Sequence, residues 1–331
     1  MHFVDIMEKK TVYLFYGEDN YSASQKCLFW RREFEKKYGD INVQTFEGKT
    51  LSAETFMTAV DCVPFLSEKK LIIVQDFLAQ GKEEEQKKVA EKIEDIADFC
   101  VVVFLETEKP DARISLFKRI IKFGQSEEFH FIMGANLVQW IKNECKRKNA
   151  SINPENAQLL AETVGPDLYQ LKNEIEKLSL FCPGQNITAD SIEKLVSPNI
   201  LTSVFKLTDY LGQKRTRESL KIFQLLLESG EDLIKIFFMI VRQFRLLIEI
   251  SDCLERKMNK TEITQKLKEH PFVIMNTIGQ SRNFQPAQLG EIYGFLLKID
   301  SDLKKGKIRI SGGDLSELRL AVEKLIVELC K

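Results

Sequence analysis

The chain has no excess of either charge, no paired cysteines and almost no histidine, and each shortage removes a class of function. Its 48 Lys and Arg face 49 Asp and Glu, for a formal net charge of −1 at pH 7. No strong whole-molecule attraction to nucleic acid or to an anionic membrane is expected, so any contact with DNA has to be local or shared with other chains. The cysteines (Cys27, Cys62, Cys100, Cys145, Cys182, Cys253 and Cys330) are an odd, scattered set without a CxxC pair. This fits reduced thiols in a cytosolic protein better than a disulfide framework, and most of them read as small core hydrophobes. His2, His130 and His270 are far apart, without HxxxH or HExxH spacing, and neither a GxSxG elbow nor a catalytic-cysteine signature is present. Neither a metal site nor a hydrolytic centre is expected from such a set.

Long apolar runs are missing as well. The N-terminal Met1-His2-Phe3-Val4-Asp5-Ile6 meets Glu8, Lys9 and Lys10 before any extended apolar region forms, so no signal peptide is expected. The greasiest stretch, Leu233 to Ile250, is interrupted by Lys235, Arg242, Gln243, Arg245 and Glu249 and is too polar to span a bilayer. There is no internal repeat and no low-complexity tract.

A length of 331 residues exceeds a single core and implies two or three domains. In the first third, short β-branched or aromatic runs at Val12–Tyr16, Val43–Phe46, Leu71–Val74, Val101–Leu105 and Glu127–Phe131 alternate with helically spaced stretches such as Ala23–Tyr38 and Glu83–Ile96. That order implies a mostly parallel sheet covered by helices. From about Leu137 the pattern is helices only, broken near Ala150–Asn153, Gly165-Pro166, Pro183-Gly184 and Pro198-Asn199, and the last break suggests a boundary between a small helical domain and a larger one. Leu233–Ile250 is apolar on nearly all sides, as a helix wrapped by others should be. Asp314 with Glu317 has capping-box spacing, which places Ser311-Gly312-Gly313 in the preceding loop.

A nucleotide-binding α/β protein carries its phosphate loop after the first strand. Here that position reads Gly17-Glu18-Asp19-Asn20-Tyr21-Ser22, without the second glycine, the lysine and the adjacent Ser or Thr that a Walker A loop needs. Glu18 and Asp19 would repel a triphosphate. After the third strand stands Gln75-Asp76-Phe77, with no acidic pair for magnesium, so Asp76 reads as a strand-end or capping residue. The basic pairs, among them Arg31-Arg32, Lys69-Lys70 and Lys304-Lys305, read as solvated faces, and no basic stripe interleaved with aromatics is evident.

The segment Pro64-Phe65-Leu66-Ser67-Glu68-Lys69-Lys70 puts two large apolar side chains at a turn that runs straight into the strand Leu71–Val74. Turns lie at the surface, whereas apolar residues beside strands are usually buried. On residue chemistry alone, Phe65 and Leu66 belong to the core; the other reading is a wedge presented to a partner.

Taken in order, Val12–Glu18, Pro64–Val74, the run from Trp140-Ile141-Lys142 through Gly165-Pro166-Asp167-Leu168-Tyr169 to Leu178, and His270-Pro271-Phe272 with Asp300–Gly306 resemble the delta subunit of the bacterial DNA polymerase III clamp loader over nearly the whole chain. The resemblance implies an AAA+-type α/β domain over 1–136 with a degenerate nucleotide site, a small helical lid over 137–200 and a helical collar over 201–331. It implies a non-hydrolysing cytoplasmic subunit, without cofactor, metal or catalytic residue, that works within the DNA polymerase III holoenzyme. Its partners would be the beta sliding clamp, the gamma/tau and delta prime subunits in a hetero-pentamer and, through the assembled complex, primed DNA. Pro64, Phe65 and Leu66 would form the apolar wedge that enters a pocket on the clamp and loosens its ring. The family pattern is more often Pro-Leu-Phe-Gly, whereas here the two apolar residues are reversed and Ser67 replaces glycine. Two other functions compete: an active AAA+ ATPase with an unusual phosphate loop, and a stand-alone helical adaptor that binds DNA.

Overall fold

A computed structural model describes residues 10–196, 199–228, 230–309 and 315–330. They fall into two compact units, one running to Met133 and including Asp167–Tyr169, the other made of Gly134–Pro166 and Gln170 onward.

The first unit contains β1 (Val12–Gly17), α1 (Asn20–Tyr38), a short 3-10 turn (Asp40–Asn42), β2 (Val43–Glu47), α2 (Ala53–Asp61), β3 (Lys70–Gln75), α3 (Phe77–Gln80), α4 (Glu83–Lys92), β4 (Cys100–Leu105), α5 (Ser115–Phe123) and β5 (Gln125–Phe129). The five strands form one parallel sheet in the order β2-β3-β4-β1-β5. Because side chains alternate across a strand, the sheet feeds two cores. On one face Val12, Leu14, Ile72, Val74, Val102 and Phe104 pack with residues of α2, α4 and α5. On the other Tyr13, Phe15, Leu71, Ile73, Val101 and Val103 pack with Cys27, Trp30 and Phe34 of α1. Coverage on both sides explains why β1 and β4 are buried at every position and why their sequences are continuous apolar runs rather than alternating ones.

β5 lies two residues upstream of the run read from sequence. Its Gln125-Ser126-Glu127-Glu128 stretch is polar because it is an edge strand paired only with β1. The aromatic pair Phe129 and Phe131 drew the sequence reading downstream.

The second unit begins with α6 (Ala135–Arg147), β6 (Ser151–Ile152), α7 (Pro154–Val164), α8 (Leu168–Phe181, from Gln170 on), β7 (Asn186–Ile187) and α9 (Ala189–Leu195). The helices-only expectation misses β6 and β7, which pair in parallel over two residues each. Strands this short have no readable periodicity. β6 falls within the break expected near Ala150–Asn153, and β7 follows the one expected near Pro183-Gly184.

There follow α10 (Ile200–Gly212), α11 (Thr216–Glu228), α12 (Leu233–Glu255), α13 (Lys260–Leu267), α14 (Pro271–Ser281), α15 (Pro286–Lys304) and α16 (Ser316–Leu329). The expected central helix is α12, extended to Glu255; its Ile236, Phe237, Ile240, Phe244 and Leu247 share a core with residues of α10, α11, α15 and α16. A buried polar knot ties three of these helices together. Gln243 Nε2 donates to Thr277 Oγ1 at 3.1 Å and to Gln280 Oε1 at 2.7 Å, and Gln280 Nε2 donates to the Phe205 carbonyl at 2.8 Å. No helix among the described residues is long and apolar enough to cross a membrane. The loop Ser311-Gly312-Gly313 and its cap Asp314 lie outside the described residues, and the helix that follows starts at Ser316.

Candidate functional site

All strands of the first sheet run the same way, so the sheet has a carboxyl edge and an amino edge. Doubly wound sheets bind ligands at the carboxyl edge, and there the turns after β1, β3 and β4 are each closed by an acidic side chain. Between β1 and α1 stand only Glu18 and Asp19. Asp19 is buried, and its Oδ1 accepts the Ser22 N–H at 2.9 Å, capping the helix end that would otherwise attract phosphate. The turn is also short, two residues between strand and helix, and its glycine sits against β5. Gly17 has φ +135°, and a Cβ there would lie 2.3 Å from the Phe129 carbonyl oxygen.

Asp76 follows β3, and its Oδ1 accepts both the N–H and the hydroxyl of Thr107 at 2.8 Å, as a strand-end residue should. Glu106 follows β4, fully buried, and accepts the N–H groups of Leu78 at 2.8 Å and Ala79 at 3.0 Å. Burial pushes the Glu106 carboxyl up to about 7, opposed by those two backbone bonds and aided by the neighbouring Asp76. Sequence reading did not single out Glu106. One acidic residue after an apolar strand gives no sign of which N–H groups will meet it.

The amino edge is different. The loop Cys62–Lys69 enters β3 there and carries the Pro64-Phe65-Leu66 segment. Pro64 is half-buried, but Phe65 is 62% and Leu66 92% exposed, with Val63 and Ile41 also exposed. The core reading of Phe65 and Leu66 is therefore wrong. The buried core on the α2 side of the sheet includes Phe56, Val60 and Ile72, and neither Phe65 nor Leu66 belongs to it. Leu66 adopts φ +48°, a left-handed backbone that costs a residue with a Cβ roughly 1–2 kcal/mol.

Two buried polar residues hold this loop. Asn42 is 5% exposed; its Oδ1 accepts the Phe65 N–H at 2.8 Å, while its Nδ2 donates to the Phe65 carbonyl at 3.0 Å and to the Tyr38 carbonyl at 3.1 Å. Lys70 is 4% exposed, and its ammonium donates to the Ala59 carbonyl and, at 3.2 Å, to the Cys62 carbonyl, at the C-terminal end of α2 where a cation is favoured. Lys70 thus departs from the solvated face expected for the Lys69-Lys70 pair. Register explains the partnership. Val43 pairs with Leu71, so Asn42, immediately before β2, and Lys70, the first residue of β3, stand side by side.

A parallel five-stranded sheet in the order β2-β3-β4-β1-β5, helices on both faces, no Walker A residues after β1 and a helical second unit together define a doubly wound α/β chain without a phosphate loop of Walker A type. Comparison with known proteins narrows the class. Residues 13–129 match the family model of the DNA polymerase III delta subunit, residues 202–313 that of its C-terminal domain, and residues 135–194 a middle-domain model. A DNA polymerase III subunit delta of Bacillus subtilis is 27% identical over 98% of this chain and 94% of its own length. A probable DNA polymerase III subunit delta of Aquifex aeolicus is 23% identical over 67% of this chain and 65% of its own. Among solved structures, the Bacillus subtilis DNA clamp loader delta protein superposes with a TM-score of 0.68 at 26% identity, covering 99% of this chain and 98% of that one. The chain belongs to the DNA polymerase III delta subunit family.

Proposed function

We propose that this clamp-loader subunit binds the beta sliding clamp through Phe65 and Leu66 and opens its ring for loading onto primed DNA. The observation that carries the reading is the pair itself: two large apolar side chains held in solvent on a strained loop, where nothing in the chain's own core requires them. An exposed apolar anchor flanked by polar residues is the form that protein interfaces use for their strongest contacts. The chain hydrolyses nothing in this scheme; ATP acts on neighbouring loader subunits, gamma/tau, which with delta prime complete a hetero-pentamer in the cytoplasm. Residues 1–136 act as the clamp-binding α/β domain, 137–200 as a lid and 201–331 as the collar through which the subunits assemble. The carboxylate-closed turns after β1, β3 and β4 support a role without nucleotide.

The test is binding of the purified chain to its own sliding clamp, without ATP and without other loader subunits. A stable complex is expected, and its absence overturns the proposal. Calorimetric titration of the chain with magnesium-ATP should give no heat of binding. A dissociation constant in the low micromolar range would restore the ATPase reading, and tight binding to duplex DNA by the chain alone would favour the adaptor.

A further inference from the structure

We infer that Asn42 is a positioning residue for the apolar wedge, a clasp that holds the backbone of Phe65 in its docking geometry from the interior of the protein; the inference rests on the clamp-docking reading of Phe65 and Leu66. A side-chain amide that accepts the N–H and donates to the C=O of one residue reproduces the pairing of a neighbouring strand. Asn42 does this to Phe65 at 2.8 and 3.0 Å, and the same Nδ2 reaches the Tyr38 carbonyl at 3.1 Å. Tyr38 is the last residue of α1 and Asn42 immediately precedes β2, so the clasp ties the loop to two rigid elements. Lys70 fixes the loop's entrance through Ala59 and Cys62. Between these two anchors the chain turns through the left-handed Leu66 and presents it almost fully to solvent.

Strained backbone persists only where its surroundings over-determine it, and such strain is concentrated at ligand-contacting segments. A loop ordered before it docks does not incur the conformational entropy of ordering on binding. Asn42 is buried, so its contribution to affinity acts through Phe65 and Leu66 rather than through contact with the clamp.

Clamp affinity measured on the full chain tests this. Asn42→Ala should weaken binding about tenfold, the size of ordering one residue's backbone. In the Phe65→Ala, Leu66→Ala background the same change should alter binding by less than about twofold, because a clasp without a wedge has nothing to position. Asn42→Asp keeps the acceptor for the Phe65 N–H but sets its second carboxylate oxygen against the Phe65 and Tyr38 carbonyls, so it should weaken binding at least as much as Asn42→Ala. Amide exchange in the unaltered protein supplies a reading independent of folding in the variants. The Phe65 amide should exchange at least about tenfold more slowly than the Leu66 amide, and Asn42→Ala should abolish that difference while leaving β2 and β3 amides protected.

An unprotected Phe65 amide, undiminished clamp binding by Asn42→Ala, or equal losses in the two backgrounds overturns the inference while leaving the docking reading intact. Failure of the unaltered chain to bind the clamp overturns the docking reading and, with it, the role given to Asn42.

Discussion

The two edges of the parallel sheet are finished in opposite ways. At the carboxyl edge, where this architecture ordinarily holds a ligand, the turns after β1, β3 and β4 end in Asp19, Asp76 and Glu106, each satisfied by backbone N–H groups of its own domain. At the amino edge, where loops usually only connect, Asn42 and Lys70 brace an exposed apolar pair. Both edges rest on the same buried strands. The cores on the two faces of the sheet draw on the strands and their covering helices rather than on the turns at either end, so those turns can change without loss of the fold. The docking proposed for the amino edge needs only a loop whose polar supports are buried and whose apolar residues are not.

The strongest way to break the comparison is at the amino edge. If Phe65 and Leu66 serve a partner, Phe65→Ala with Leu66→Ala removes roughly 1.5–3 kcal/mol per side chain from clamp binding and weakens it about a hundredfold or more. The melting temperature should scarcely move, since changes at exposed positions usually alter stability by no more than about 0.5 kcal/mol. Scanning calorimetry and clamp titration on the same preparation separate the two effects. A large fall in melting temperature with normal binding by the folded fraction would return the pair to the core.

How much of this could be read from sequence follows the same division. β1, β3 and β4 were legible because burial on both faces makes them continuous apolar runs, and the missing Walker lysine was visible by inspection. The wedge segment was also legible, but its exposure was not: composition alone favoured burial, and only the resemblance to a family pointed outward. The supports were hidden. Asn42 looks like any residue of a polar turn before a strand, and Lys70 looks like half of a surface pair. Their roles arise from the register that sets Val43 beside Leu71, a long-range pairing that local patterns do not carry. Glu106 was hidden for the same reason, since its two donors come from a helix nearly thirty residues earlier in the chain.

At the carboxyl edge Glu106 gives the next effect, through pH. Burial raises its folded-state carboxyl from the ordinary 4.5 to about 7. Between those values the folded protein keeps a proton that the unfolded chain has released, so stability falls as pH rises through the window. The loss is complete above about pH 7 and amounts to no more than about 3 kcal/mol. Glu106→Gln cannot titrate, and its amide oxygen still accepts one of the two backbone N–H groups. Denaturant midpoints measured from pH 5 to 8 should therefore fall with pH less steeply in the variant than in the unaltered chain, and parallel slopes would show that Glu106 is not the group responsible.

The smallest effect sharpens the comparison most, because it asks what closes the carboxyl edge. Asp19 caps α1 through its bond to the Ser22 N–H, and replacing an Asp cap by Ala costs about 1 kcal/mol. Asp19→Ala should therefore lower stability by about that amount in a denaturant titration. It also removes the anion from the helix end and frees an N–H that a phosphate could use. The variant should still not bind magnesium-ATP in calorimetry. Glu18 remains, no lysine stands nearby in the turn to reach a phosphate, and only two residues separate β1 from α1. Micromolar binding by Asp19→Ala would mean that a single carboxylate, rather than the short turn itself, keeps the nucleotide out.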